Sequence, residues 1–262
     1  MDKDYLKERS YIEGRASLFY NYLDEDVLGN HAVRLMKAVA SQTDVYIFSG
    51  VIRNFLLGFT ENRDVDVVIV NIKSLSLSKE MLEGCKIRRN SFGGFKIMIE
   101  NLTIDAWGIE STWGLLLKNM RFTPNSLIRT AFFNFSAIAY DYNKKRFYYG
   151  DEVCHFLRTR AIDVVFPENP NKALCILNTI YYAKKYKFPI AYSLCKWIFQ
   201  NYEESMPFDD VMQKHFSGNV ITDDQREWFM KVIRNAVAHG FMKHNHCLYL
   251  DFIQRRVSLI EE

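Results

Sequence analysis

The spacing of apolar positions changes several times along the 262-residue chain, and each change marks an element. Tyr5 to Leu23 is aromatic and amphipathic. From Glu25 to Ala40 the residues Val27, Leu28, Ala32, Val33, Leu35, Met36 and Val39 recur at helical spacing, so two helices are predicted. Val45-Tyr46-Ile47-Phe48 is a continuous apolar run, as a buried strand shows. Ser49-Gly50 is a small-residue turn into a short helix closed by Gly58, and residues 63–70 read as a second strand. Residues 71–84 are polar and leucine-spaced, which predicts a helix ending at Gly84. Residues 87–99 and 102–107 are apolar stretches joined through Glu100-Asn101; they read as a hairpin preceded by a turn at Gly93-Gly94. Residues 110–140 read as helical with a break at Pro124. A second hairpin turns through residues 141–146 and ends at Phe147-Tyr148-Tyr149-Gly150. Beyond Asp163 the pattern is helical almost throughout, and Pro167 and Pro170 mark a boundary. The expected architecture is an α/β (α+β) domain with a mixed β-sheet over residues 1–163, then an all-helical domain over residues 164–262.

The second strand carries the first candidate chemistry. Side chains alternate across a strand, so Asp64 and Asp66 point to one face while Val65 and Val67 point to the other. Two carboxylates side by side repel one another, and a hard cation such as magnesium between them relieves that repulsion. Taken alone, Asp-x-Asp is also what a solvated strand edge or a turn cap looks like. The Ser49-Gly50 turn adds a helix N-terminus, whose backbone N–H groups and dipole suit a phosphate. Asp105, in the second arm of the first hairpin, supplies a third carboxylate that could complete a site for two divalent ions.

Composition narrows the setting. At 48% hydrophobic and 15% aromatic the chain can bury a substantial core. No uninterrupted apolar run of about 18 residues occurs, and the first nine residues lack the apolar centre of a secretory signal, so a cytoplasmic protein without membrane contact is expected. The five cysteines are scattered and form no Cys-x-x-Cys pair, as expected of reduced thiols. His239, His244, His246 and Cys247 match no common zinc spacing, and the histidines read as surface groups near a helix end. Trp197, Phe199, Trp228 and Phe229 read as core. Charge is uneven. Residues 1–117 hold 14 basic and 16 acidic side chains, residues 118–190 hold 12 and 5, and residues 191–262 hold 8 and 10. The basic middle segment, residues 118–190, suits RNA or another polyanion; equally, it reads as a solvated face balanced by acidic neighbours.

Taken in order, the motifs resemble a known group. Ser49-Gly50-Val51-Ile52-Arg53-Asn54-Phe55-Leu56-Leu57-Gly58 followed by Asp64-Val65-Asp66 is similar to the signature of the polymerase β nucleotidyltransferase superfamily. In particular it resembles the head of bacterial CCA-adding enzymes and poly(A) polymerases, with Gly-Gly-x-Val-Arg-Asp-x-Leu-Leu-Gly ahead of Asp-x-Asp. Residues 133–141 resemble that family's Phe-Thr-Ile-Asn-Ala-Leu-Ala-Tyr-Asp, and residues 176–188 resemble the first helix of its neck, so the likeness runs over about residues 45–190. The resemblance implies a nucleotidyltransferase head followed by a helical neck-like domain. It implies that Asp64, Asp66 and Asp105 hold two magnesium ions, that Ser49 and Gly50 hold the triphosphate, and that Arg53 supports their loop or touches a phosphate. Lys96 would be a further phosphate contact, and Ser136 stands where the family's asparagine helps to place the nucleotide. The implied reaction transfers a nucleoside monophosphate from a nucleoside triphosphate, ATP before the others, to an acceptor hydroxyl.

The departures concern the substrate. The family's Arg-Arg-Asp is Thr130-Ala131-Phe132, and its base-reading Glu-Asp-x-x-Arg is Asn171-Lys172-Ala173-Leu174-Cys175, with Asn178 and Tyr181 in place of later arginines. Without the Asp and Arg that pair with the base edge, discrimination between bases loses its hydrogen bonds. The chain to Glu262 also leaves little room for the helical body and tail that measure tRNA in that family. The expectation is a magnesium-dependent nucleotidyltransferase other than a standard CCA-adding enzyme, with an RNA 3′ end as the first candidate acceptor. The alternatives are a nucleotidyltransferase acting on a protein or small molecule, and a weak or inactive nucleotide-sensing module beside a partner protein.

Overall fold

The computed structural model describes residues 5–62, 64–90, 93–216, 218 and 220–261. Arg63, Ser91 and Phe92, which the strand readings included, lie outside the described residues. The chain forms two compact units, Met1–Ala131 with Phe135–Cys154, and Phe132–Asn134 with His155–Glu262. In chain order the elements are α1 (Leu6–Glu13), α2 (Ala16–Tyr22), α3 (Gly29–Ala40), β1 (Val45–Phe48), α4 (Gly50–Leu57), β2 (Val65–Ile69), α5 (Lys79–Leu82), β3 (Lys86–Arg89), β4 (Phe95–Ile99), β5 (Leu102–Gly108), α6 (Trp113–Leu117), α7 (Pro124–Ile128), β6 (Ile138–Asp141), β7 (Arg146–Tyr149) and α8 (Asp151–Thr159). They continue with α9 (Lys172–Tyr186), β8 (Ile190–Ala191), α10 (Tyr192–Asn201), α11 (Phe208–His215), α12 (Asp223–Ala238), β9 (His246–Asp251) and β10 (Arg256–Glu261). The chain passes between units within α8, ahead of the boundary that Pro167 and Pro170 suggest, because packing rather than proline punctuation defines a compact unit.

The first unit is built on a seven-stranded mixed sheet in the order β3-β4-β5-β2-β1-β6-β7. Only β2 and β5 run parallel; every other neighbouring pair is antiparallel. Both expected hairpins form, β4 with β5 and β6 with β7. The stretch over residues 87–99 is two strands rather than one, with Gly93 and Gly94 between them. Gly93 has φ 84°, and a Cβ on Gly94 would lie 2.8 Å from the Ala106 carbonyl oxygen, so neither position suits a larger residue. The helix expected over residues 71–84 shrinks to α5 and a single 3-10 turn, Ile72–Ser74.

One sheet face is apolar across β5, β2, β1 and β6. Val45, Ile47, Val65, Val67, Ile104, Ala106, Ile138 and Tyr140 are all buried. The opposite face has an apolar half, where Tyr46, Val68 and Ala139 pack with Leu127 and Ile128 of α7, and a charged half described below. Pro124 does not break α7 but begins it, at a position where its missing N–H is harmless, and Thr123 and Ser126 form a capping box around it.

The N-terminal helices are fixed by an aromatic cluster. Phe19 of α2 is buried, and its ring centroid lies 4.8 Å from Tyr140, 5.2 Å from Phe55 and 5.4 Å from Phe147. The Tyr140 hydroxyl donates to the Ala16 carbonyl at 3.0 Å and the Tyr142 hydroxyl to Asp24 at 2.9 Å. Burial, foremost, pushes both phenols above their ordinary range, which keeps them protonated as donors. Because Phe55 belongs to α4, the cluster also holds the helix that follows the Ser49-Gly50 turn.

From Lys172 to Ala238 the elements of the second unit are helices apart from the two-residue β8, with Asn171 capping α9 and a Thr222–Gln225 capping box starting α12. The all-helical expectation holds for that stretch and is corrected after it. Residues 246–261 form an antiparallel hairpin, and β9 also pairs with the two-residue β8. Leu248 and Leu250 alternate inward while Tyr249 and Asp251 are more open, a period-two signal too short to stand out after a 16-residue helix. Among the described residues no helix is long and apolar enough to cross a membrane.

Phe19→Ala is expected to lower the stability of the first unit by about 3–5 kcal/mol, the usual result of emptying a buried phenylalanine site. Denaturant unfolding followed by circular dichroism checks this.

Candidate active site

The strand register assembles a row of seven side chains, one from each strand of the large sheet. Arg88 on β3 pairs with Lys96 on β4, Lys96 with Asp105 on β5, and Asp105 with Asp66 on β2. The row continues through Phe48 on β1, Ala139 on β6 and Tyr148 on β7. Residues directly opposite one another share a face, so all seven lie on the face opposite Val65 and Val67. Asp64 precedes β2, two residues from Asp66, and is partly buried like Asp66 and Asp105.

Asp66 and Asp105 are thus lateral neighbours, as the sequence suggested. The Asp105 carboxylate is held by Lys96, whose Nζ lies 3.2 Å from Oδ2, with the Asp105 side chain 20% and the Lys96 side chain 46% exposed. Among the described residues, no group of three or more His, Cys, Asp or Glu side chains is gathered closely enough to hold a metal ion. That applies to the three aspartates and equally to His239, His244, His246 and Cys247.

Ser49 and Ser136 lie at the same end of the sheet, because β1 ends and its antiparallel neighbour β6 begins there. The Ser49 N–H donates to the Ile138 carbonyl at 3.1 Å and is therefore committed to the sheet. Of this turn's donors the Ser49 hydroxyl and the first-turn N–H groups of α4 are left, and no side chain caps the turn. Ser49 sits at φ 60°, ψ −101°, a conformation that L side chains rarely adopt and that costs on the order of 1–3 kcal/mol. A Cβ on Gly50 would meet nothing within 4 Å, so the space in front of the turn is open.

Arg53 binds the next residue of its own helix. Its Nε and Nη2 donate to Asn54 Oδ1 at 3.0 and 2.8 Å, and its guanidinium lies 5.3 Å from the centre of the Phe135 ring. Asn54 is buried and donates in turn to the Glu61 carbonyl at 2.7 Å and to Asn62 Oδ1 at 3.1 Å, while Asn62 donates to the Tyr22 hydroxyl at 2.6 Å. This chain of bonds ties α4 to the loop that delivers Asp64 and Asp66. Asn54 stands where the family signature has an aspartate, and sequence reading assigned it no role of its own. The available signal was an asparagine inside an apolar helix, which must find partners wherever it is buried. Arg88 was also missed, since nothing local to β3 reveals which strand lies beside it.

In the second unit, the positions that align with the base-reading motif do other work. The Asn171 side chain accepts from the Leu174 N–H at 3.1 Å to start α9, and Ala173 and Cys175 are buried in the core.

The sheet order and the turn-helix-strand arrangement define a polymerase β-like nucleotidyltransferase fold. Among solved structures, a CCA-adding enzyme in complex with CTP superposes at a TM-score of 0.54 with 17% identity, covering 84% of this chain and 59% of that one. A tRNA nucleotidyltransferase complexed with a primer tRNA and an incoming ATP analog matches at 0.51 with 20% identity over 78% and 60% of the two chains. The CCA-adding enzyme of Thermotoga maritima complexed with tRNA matches at 0.50 with 16% identity over 87% and 62%. The chain therefore spans about three-fifths of the length of these structures. No family model and no curated protein matches the sequence.

Ser49→Gly is expected to raise the stability of the first unit by about 0.5–1 kcal/mol, because glycine relieves the positive φ and the serine side chain makes no cap bond that would be lost. A shift of the denaturant midpoint to higher concentration, with an unchanged slope, is the expected reading.

Proposed function

We propose that the protein is a magnesium-dependent nucleotidyltransferase that moves a nucleoside monophosphate from a nucleoside triphosphate, preferentially ATP, to the 3′ hydroxyl of an RNA. The observation that carries this reading is the pairing of Asp66 with Asp105 beside the Ser49-Gly50 turn, within a fold shared with nucleotidyltransferases whose solved structures hold CTP or an ATP analog.

The donor chemistry suits the cation: Asp64, Asp66 and Asp105 offer only hard carboxylate oxygens, the ligands magnesium takes. When bound, magnesium lowers the pKa of the attacking hydroxyl and neutralises charge on the departing pyrophosphate. Asp64, Asp66 and Asp105 are the residues that would hold it. The Ser49 hydroxyl and the first-turn N–H groups of α4 bind the triphosphate, with the helix dipole oriented to favour negative charge. Lys96 balances Asp105 and is placed to move to a phosphate oxygen once Asp105 is engaged elsewhere. Arg53 and Asn54 keep the turn and the aspartate loop in fixed relation. RNA would meet the exposed cations of residues 118–190, such as Lys118, Arg121 and Arg129. Part of that segment's charge is used internally, however: Lys144 pairs with Asp141 at 3.2 Å, and Lys184 binds the Val220 carbonyl at 2.7 Å.

A second reading, a nucleotide-binding module without transfer, is favoured by the Lys96–Asp105 ion pair and by the carboxylates not being drawn together. Incubation with each α-labelled triphosphate, magnesium and total RNA separates the two. Label in RNA is expected; triphosphate binding with no label in any product would establish the second reading. Asp66→Asn is expected to reduce transfer at least about 100-fold while circular dichroism stays unchanged, since a carboxylate pair contributes mainly repulsion to the metal-free protein. Unfolding of this variant would instead assign Asp66 a structural role.

Gly50→Ala provides a further check. The protein has room for the methyl group, and alanine favours the helix by up to about 1 kcal/mol, so the fold should be slightly more stable. The KM for the triphosphate is expected to rise about tenfold or more; an unchanged KM would remove Gly50 from the phosphate site.

A further inference from the structure

The charged half of the sheet face extends past the carboxylates to the edge of the sheet, and its outer end is unexplained by nucleotide transfer alone. Strand β3, Lys86-Ile87-Arg88-Arg89, is the outermost strand on that side and exposed along its whole length. Lys86 and Arg88 project to the same face as Lys96 and Asp105, while Arg89 pairs with Phe95 on the other face, its guanidinium 5.7 Å from the ring centre.

Three features set this edge apart from an ordinary solvated strand. Arg88 lies directly opposite Lys96, a like-charge pairing that destabilises a sheet. Asp105 neutralises Lys96, yet Lys86 and Arg88 have no side-chain hydrogen bond or ion pair among the described residues. The row also leads away from the paired carboxylates in steps of one strand width, about 4.8 Å each, so Lys96 stands one step and Arg88 two steps from Asp105. Counting charge by long segments hides this edge, because residues 1–117 carry more acidic than basic side chains.

We propose that Lys86 and Arg88, outward of Lys96, form a binding row for the phosphodiester backbone of a single-stranded RNA acceptor, holding it across the sheet face so that its 3′ end reaches Asp66 and Asp105. The inference rests on nucleotidyl transfer at those aspartates and adds a second, independent place for RNA beside residues 118–190. Each cation that neutralises a phosphate releases a counterion, so the row predicts a defined salt dependence. Surface cations on an edge strand can also serve only to block edge-to-edge pairing of sheets. The same experiment distinguishes that role.

The test uses the full chain and a fluorescein-labelled single-stranded RNA 12-mer, titrated between about 50 and 200 mM salt. In the double variant K86Q/R88Q the slope of log affinity against log salt is expected to fall by about 1.4, roughly 0.7 for each lost phosphate contact. Affinity at the lowest salt should drop at least tenfold, and binding of magnesium-ATP alone should not change. Unchanged RNA affinity and slope in K86Q/R88Q would overturn the proposal, and added self-association in sedimentation would then assign the cations to edge protection. Equal loss of ATP and RNA binding would overturn it as well, by placing the row in the nucleotide site. If the wild type transferred no nucleotide under any condition yet bound RNA through Lys86 and Arg88, the transfer reading would fail and the binding row would stand.

Discussion

The candidate site depends on one strand pairing, the parallel alignment of β2 with β5 that sets Asp66 opposite Asp105. Its register is pinned from the other face. Val65, Val67, Ile104 and Ala106 are all buried there, and a slip of one residue would exchange them with the carboxylates. Each exposed valine or isoleucine would forfeit about 1.5–3 kcal/mol of burial, and the aspartates would enter an apolar layer without partners. The apolar face thus fixes, at no cost to the polar one, which acidic groups stand side by side. A parallel pair also requires a crossover, and the chain between β2 and β5 uses it to lay down β3 and β4 outside the pair. That is how basic side chains come to extend the row of carboxylates.

The turn beside this pair is held against its own preference. Ser49 occupies a positive-φ conformation with its N–H tied to Ile138, and the strain persists because the surroundings leave it no alternative. Phe55 on α4 packs into the cluster around Phe19, while Asn54 on the neighbouring helical position binds the loop before Asp64. One helix therefore faces a hydrophobic anchor and a polar one, and both constrain where the turn and the aspartates can lie. Such over-determination places the donors of the turn before any ligand arrives.

Electrostatically, the exposed half of the row places two cations beside two anions. Lys96 is the hinge of that arrangement, opposite Asp105 on one side and Arg88 on the other. An ion pair at this level of exposure contributes at most about 1 kcal/mol, so Lys96 can exchange partners readily. The cations of residues 118–190 behave differently: Lys144 and Lys184 are bonded within their own units, and that segment's charge overstates what a polyanion would meet.

Much of this was legible along the chain. The strand runs, both hairpins, the shared face of Asp64 and Asp66 and the candidate role of Asp105 follow from residue spacing, because side-chain direction in a strand is set by the backbone's period of two and needs no distant contact. The turn at Ser49-Gly50 and the closing Gly58 were legible for the same local reason. The C-terminal hairpin was not, since six-residue strands flanked by no glycine turn carry too weak an alternation. Asn54 as the tie to the aspartate loop, the commitment of the Ser49 N–H to Ile138, the Lys96–Asp105 ion pair and the alignment of Arg88 with the carboxylates emerged only from the folded chain. Each depends on which segments become neighbours, and that is decided by burying apolar surface from the whole chain at once, a sum to which no single stretch of residues holds the terms.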